Sequence, residues 1–312
     1  MKCLIVTCAN GLGHARRQLH VAARWAREND VTLLMTKRQY ILLKKEYIDL
    51  VHRFGNFKIR EASPIGLQGP SISSSFAGNY KINKLIQKLI ESSDVVFTDN
   101  VLWPLALRED VIFFGHFLWT DYFLGKSNLN GSVNLYKLLS FEMELASRIA
   151  FSVTLNEFTI GDLVRIPNRL SLNLPTYYED LKLSLDPRKE IWISKGTTNL
   201  AQEFNNSMGL DSRLFQWRES HEIVGSGIKP AGIIGRPGLG TIRDCIEFNI
   251  PFHPFSITDV ELENNVRVIN NISESVSLNG LLDNLKFNQI PTGLISPMMP
   301  LDDVLDSINY PT

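Results

Sequence analysis

Apolar residues in this chain come in short unbroken runs, and between those runs they recur every three or four positions. The first pattern suits strands buried on both faces, and the second suits helices with one apolar stripe. Residues 2–8 predict a strand. Residues 14–28 predict a helix, because Leu19, Ala22, Ala23 and Ala26 keep the i, i+3, i+4, i+7 spacing of a buried face. Arg16, His20, Arg24 and Arg27 share another side of that helix, read most simply as solvated. Residues 31–35 predict a second strand. After a less regular stretch, 81–91 predict a helix, and 94–100, 110–117 and 147–154 predict further strands. A second series then begins with a strand over 190–196, a short helix over 199–208 and a strand over 212–217. Residues 230–255 predict strand, glycine turn, helix and strand, and 259–271 and 301–308 predict helices.

This alternation is the signature of βα units on parallel sheets, so the fold class is α/β. Pro167, Pro175 and Pro187 interrupt residues 155–190, which reads as a connection between two Rossmann-like domains, 1–160 and 161–312, with a cleft between them. The last helix is a candidate to cross back to the first domain. In open α/β sheets, ligands collect outside the carboxyl ends of the strands, where both glycine turns of this chain fall.

Composition narrows the function. With 32 basic against 33 acidic residues, no global basic excess points to nucleic acid. Arg16, Arg17, Arg24 and Arg27 still form a local basic patch able to meet an anion. Three cysteines without CxxC spacing speak against a disulfide framework or a zinc site and suit a reducing, cytoplasmic setting. No cofactor or metal is expected. The apolar opening is too short for a signal peptide, and no stretch approaches bilayer length.

Four constellations could carry chemistry. In Gly11-Leu12-Gly13-His14, glycines allow backbone amides to approach a ligand, and the helix behind them adds its positive end. A tight turn with a polar cap is the plain alternative. His14, at the mouth of that turn, is placed to exchange protons. Gly235-Arg236-Pro237-Gly238-Leu239-Gly240-Thr241 would build a second anion cradle, with Asp244 one helical turn further on. Neither turn completes a dinucleotide fingerprint or a Walker pattern. Asp259 and Glu261, with Asn264 and Asn265, read alone as an ordinary helix start with a solvated polar face. Asp99, ending a buried strand, is either a strand-end cap or the carboxylate that orients His14. His116 reads as structural or acceptor-lining.

Together "NGLGHARR" and "GRPGLGTIRDCIEFNIPFHPFSITDVELENN" resemble the two signatures of GT-B glycosyltransferases and their nucleotide-sugar hydrolase relatives. The families the chain resembles include the peptidoglycan N-acetylglucosaminyltransferases and the UDP-glucuronosyltransferase-like enzymes. The resemblance implies two Rossmann-like domains and transfer of a sugar from a nucleotide-diphosphate donor, foremost a UDP-sugar, to a hydroxyl of a small, lipid or glycan acceptor. It places Gly11, Gly13, Arg17 and His116 on the acceptor side, with His14 as general base backed by Asp99. Donor contacts would come from Lys195, Gly196, Thr197, Arg236, Gly238, Gly240, Thr241, Asp244, Asp259 and Glu261, with Asp244 on the ribose. No metal is implied. Glu261 stands where glutamine is usual, Asp244 where glutamate is commoner, and the segment between 196 and 235 is short, which implies a reduced donor domain. A hydrolase using the same cleft and a non-catalytic binding protein remain the alternatives.

The aromatic segment 113–125 carries Phe113, Phe114, Phe117, Trp119, Tyr122 and Phe123. The first two read as buried strand. The last three read as packed loop, as a groove for an apolar acceptor, or as a peripheral contact with the inner face of the membrane.

Overall fold

The computed structural model describes residues 1–9, 12–62, 84–124, 133–166, 168–178, 181–186, 189–194, 215–218, 222–255, 260–276, 278 and 285–311. The chain divides into two units, Met1–Leu172 with Met298–Thr312, and Asn173–Pro297.

In the first unit, seven strands form one sheet: β1 (Lys2–Val6), β2 (Asp30–Thr36), β3 (Lys58–Ala62), β4 (Val95–Asp99), β5 (Ile112–Phe114), β6 (Phe151–Leu155) and β7 (Asn168–Leu172). They lie in the order β3-β2-β1-β4-β5-β6-β7, every pair parallel. Parallel strands need apolar side chains on both faces, and β1 supplies them. Leu4 and Val6 enter one core cluster, while Cys3 and Ile5 enter the other. The order runs outward in opposite directions from β1 and β4, so the topological switch point lies between these two strands. Ligand crevices open at such points.

Helices cover the sheet: α1 (Leu12–Trp25), α2 (Lys37–Phe54), α3 (Lys84–Ser92), α4 (Trp119–Leu124) and α5 (Val133–Ala146). Helix α2 occupies the stretch whose apolar pattern is less regular, and is a correction to that pattern. A complete capping box starts it, with Thr36 Oγ1 accepting from the Gln39 amide while the Gln39 side chain accepts from the Thr36 amide. Its helical period is masked because Ile41, Leu42 and Ile48 point to solvent while Gln39 is buried. The polar face expected on α1 is a second correction. Arg16 and His20 are buried, since α2 packs across that side and offers Glu46 to both.

The closing helix, α9 (Leu301–Ser307), belongs to the first unit, where Leu301, Val304 and Leu305 join one core cluster and Trp25 Nε1 donates to Met299 O at 3.0 Å.

The second unit has short strands throughout: β8 (Leu174–Pro175), β9 (Ser184–Leu185), β10 (Ile191–Ser194), β11 (Phe215–Trp217), β12 (Ile228–Lys229), β13 (Gly232–Gly235), β14 (Phe252–Pro254), β15 (Glu274–Val276), β16 (Phe287–Gln289) and β17 (Ile295–Ser296). Its main sheet runs β11-β10-β13-β14-β16-β15, parallel through β14 and antiparallel beyond. Helices α6 (Glu222–Ser226), α7 (Leu239–Glu247) and α8 (Val260–Ile272) accompany it. Here the strand order turns between β10 and β13, and the glycine turn leaves β13 at that point.

Candidate active site

Because only residues 7–11 separate β1 from α1, the first helical turn sits on the carboxyl edge of the sheet beside the end of β4, whose Thr98 pairs with Val6. Asp99 is the last residue of β4 and is fully buried. His14 and Arg17, three positions apart on α1, project to the same side. His14 Nδ1 lies 3.1 and 3.3 Å from the two carboxylate oxygens of Asp99, and Arg17 donates an N–H to Oδ1 at 2.5 Å. Burial alone pushes the Asp99 carboxyl up, but the charges and hydrogen bonds of Arg17 and His14 bring it down to about 2.

An ionised Asp99 can only accept. Nδ1 of His14 therefore carries its hydrogen toward the carboxylate, and in the neutral ring Nε2 is the basic nitrogen. The His14 side chain keeps 12% of its surface, against none for Asp99. This pairing of His14 with Asp99 is the choice the sequence left open against a strand-end cap. Arg17, expected on the acceptor side, is buried and holds the carboxylate, so its anion is internal.

Asn100 follows Asp99 in the left-handed region at φ 53° and ties the ends of β4 and β5 together. Its Nδ2 donates to Phe117 O at 3.1 Å, and Trp119 Nε1 donates to Asn100 O at 2.6 Å. A side chain at Gly115 would collide with the Asn100 carboxamide, so only glycine fits there. His116, next along, is buried and stacks on His14 with ring centroids 6.1 Å apart. In the aromatic segment Phe117 and Trp119 are core residues, so of the readings open for Trp119 the packed one holds and the groove or membrane contact does not. Tyr122 and Phe123 have side chains outside the described residues.

In the second unit, the turn from β13 into α7 is the counterpart. A Cβ on Gly235 would stand 3.0 Å from that of Ser194, so the two strand ends need glycine to lie this close. Gly238 is the N-cap of α7 and no side chain caps the helix, leaving the first-turn amides to face outward. Added Cβ atoms at Gly238 and Gly240 would meet nothing within 4 Å, so the turn is open. Thr241 is half-buried in the first turn of α7, and Arg236 half-buried just before it. Asn265 is buried and donates to Pro237 O at 2.9 Å, fixing the turn from α8. Sequence reasoning put Asn264 and Asn265 on a solvated face; the structure buries both. The downstream asparagine of the GT-B donor signature was the available signal.

Asp244 needs correction. It is fully buried and ion-paired with Arg243, itself stacked 3.6 Å from the Tyr177 ring and bonded to Glu247 at 2.7 Å. Glu247 accepts from the amides of Tyr177 and Tyr178 at 2.7 and 2.5 Å. This is a structural anchor, and a ribose hydroxyl has no access to it. Glu261 is half-buried in the first turn of α8. Gly13 lies exposed in the first turn of α1. Gly11, Lys195, Gly196, Thr197 and Asp259 lie outside the described residues. Among those described, no three His, Cys, Asp or Glu side chains gather as metal ligands.

No protein-family model and no curated protein matches this chain. Solved structures do. UGT73P12 of Glycyrrhiza uralensis, complexed with glycyrrhetinic acid 3-O-monoglucuronide, matches at TM-score 0.55 and 10% identity over 87% of this chain and 80% of its own. UGT2 of Phytolacca americana, complexed with UDP-2fluoro-glucose and pterostilbene, matches at 0.52 and 12% over 86% and 83%. The glycotransferase of kitacinnamycin matches at 0.51 and 11% over 99% and 89%. The fold is that of the GT-B glycosyltransferases.

Proposed function

We propose that the protein transfers a sugar from a nucleotide-diphosphate donor, a UDP-sugar first among them, to a hydroxyl of its acceptor. The observation that carries this reading is the His14–Asp99 pair at the β1/β4 switch point. His14 Nε2 takes the proton of the acceptor hydroxyl as its oxygen attacks the anomeric carbon of the donor sugar. The bond from that carbon to the diphosphate breaks, and the diphosphate leaves with the electron pair. Asp99 stabilises the imidazolium as it forms and, with its own charge balanced by Arg17, stays ionised throughout.

The open turn at Gly238, Gly240 and Thr241, with the amino terminus of α7 behind it, supplies amides and a helix dipole for the diphosphate. In this reading these groups, aided by Arg236, take the role a metal would otherwise have, so transfer is metal-independent. Glu261 serves the sugar hydroxyls. Asp244 is left out of the donor set because it is buried in its ion pair. The fold shared with UGT73P12 and UGT2 supports the same class of chemistry.

The test combines calorimetry with product analysis. UDP should bind with measurable heat, and a screen of UDP-sugars against hydroxyl acceptors should yield a glycosylated product. His14→Ala should lower turnover by ~10²–10⁴ while UDP affinity changes little. Absence of heat with UDP, GDP, CDP and dTDP would remove the donor. Free sugar formed equally with and without acceptor would make the protein a hydrolase.

A further inference from the structure

The exposed face of α2 combines apolar and cationic side chains. Ile41 and Leu42 expose 59% and 55% of their surfaces and Ile48 42%, so three of the eight large apolar side chains exposed among the described residues sit on this one helix. Ile41, Lys44, Lys45 and Ile48 follow the i, i+3, i+4, i+7 spacing that brings residues to one side of a helix. Lys37 and Arg38 extend the cationic band at the helix start, and all four cations are exposed. Asp49 is the exposed carboxylate of this helix, since Glu46 is committed to Arg16 and His20. The apolar and basic residues also meet in an open cavity of about 540 Å³ lined by Lys37, Arg38, Ile41, Leu42 and Ala62.

Exposed isoleucine and leucine cost free energy in water, so a helix that keeps them outward beside lysines is built for a surface that is apolar below and anionic above. We infer that this face of α2 docks the protein on a bilayer carrying anionic phospholipid headgroups. Lys44 and Lys45 would meet the headgroup charge while Ile41, Leu42 and Ile48 enter the acyl boundary between them. The capping residue Gln39 donates to Cys8 O at 2.9 Å, so the first turn of α2 is tied to the segment that leads into α1. Docking through α2 would thus set the carboxyl edge of the first sheet, with His14, beside the lipid. The inference stands without the transfer reading, because it concerns binding alone.

The experiment is co-sedimentation of the full chain with vesicles of phosphatidylcholine, or of phosphatidylcholine mixed equally with phosphatidylglycerol. The protein should pellet with the mixed vesicles, remain in solution with the neutral ones, and be released by raised salt. Lys44→Glu with Lys45→Glu should weaken binding to the mixed vesicles at least about tenfold, by removing two cations from the anionic surface. Ile41→Ser with Leu42→Ser should weaken it as well, whereas Leu185→Ser, at an exposed apolar residue of the other unit, should leave it unchanged. Equal binding to both vesicle types, binding to neither, or unaltered binding by the two α2 variants would overturn the inference. So would light scattering that finds a dimer which Ile41→Ser with Leu42→Ser converts to monomer, since the face would then join two copies of the chain.

Discussion

Helix α1 carries two clusters of the same composition. On one side Arg17 and His14 meet Asp99; on the other, Arg16 and His20 meet Glu46. In both, a carboxylate is held below its usual range against burial by an arginine and a histidine. Only their places in the fold differ. Glu46 comes from a helix packed over α1, so His20 is sealed between two helices with its side chain fully buried. Asp99 comes from the end of a central strand at the switch point, so His14 keeps a strip of exposed surface at the edge where α/β sheets receive ligands. Arginine, carboxylate and histidine do not define a site by composition; position on the sheet does. Another carboxylate, the buried Glu142 on α5, completes the contrast. Its Oε2 has no hydrogen-bond partner among the described residues, and burial raises it to about 8.

Exchange of the two histidines probes this comparison most strongly. His14→Ala should lower turnover by ~10²–10⁴ with the fold intact. His20→Ala should leave turnover near native and lower stability by about 1–3 kcal/mol, since Glu46 loses a buried partner. Equal losses of turnover in the two variants would erase the distinction.

Removal of the carboxylates should affect both clusters alike. Asp99→Asn and Glu46→Gln each strand a buried arginine and should each destabilise the fold by about 3–5 kcal/mol, measured by urea unfolding. They should part in activity, which Asp99→Asn loses beyond what its folded fraction explains. Glu142 should behave in the opposite sense. Its folded pKa is raised, so the folded state holds a proton that the unfolded chain releases, and stability falls as pH rises from the usual carboxylate value toward about 8. Glu142→Gln should flatten that slope and gain on the order of a few kcal/mol at pH 8.

Much of the fold was legible because parallel strands advertise themselves as apolar runs, and β1, β2, β4 and β13 all read that way. Helix α2 was not legible, since Ile41, Leu42 and Ile48 break the apolar stripe by facing outward. The glycine turns and His14 could be found from local spacing. That His14 meets Asp99, 85 residues away, depends on β1 lying beside β4, a pairing for which the spacing carries no register. Asp244 misled because an acidic residue one turn into a helix looks the same whether it faces a ligand or Arg243; the partner decides, and nothing local names the partner.

The smallest expected effect is on the acid limb of stability. Asp99 titrates at about 2 in the folded protein, below the ordinary value of 3.8, so its contribution is present above pH 4 and is lost as pH falls toward 2. A shift of this size corresponds to roughly 2 kcal/mol. Urea unfolding between pH 5 and pH 2 should therefore show native stability declining across that window, and Asp99→Asn, lower throughout, should decline by roughly 2 kcal/mol less. Glu46 is held down in the same way, so Glu46→Gln should shrink the acid loss as well. If Asp99→Asn left the acid slope of the native protein unchanged while Glu46→Gln reduced it, Asp99 would not be the ionised partner that the base assignment of His14 requires. The two clusters would then differ in their charge as well as in their place.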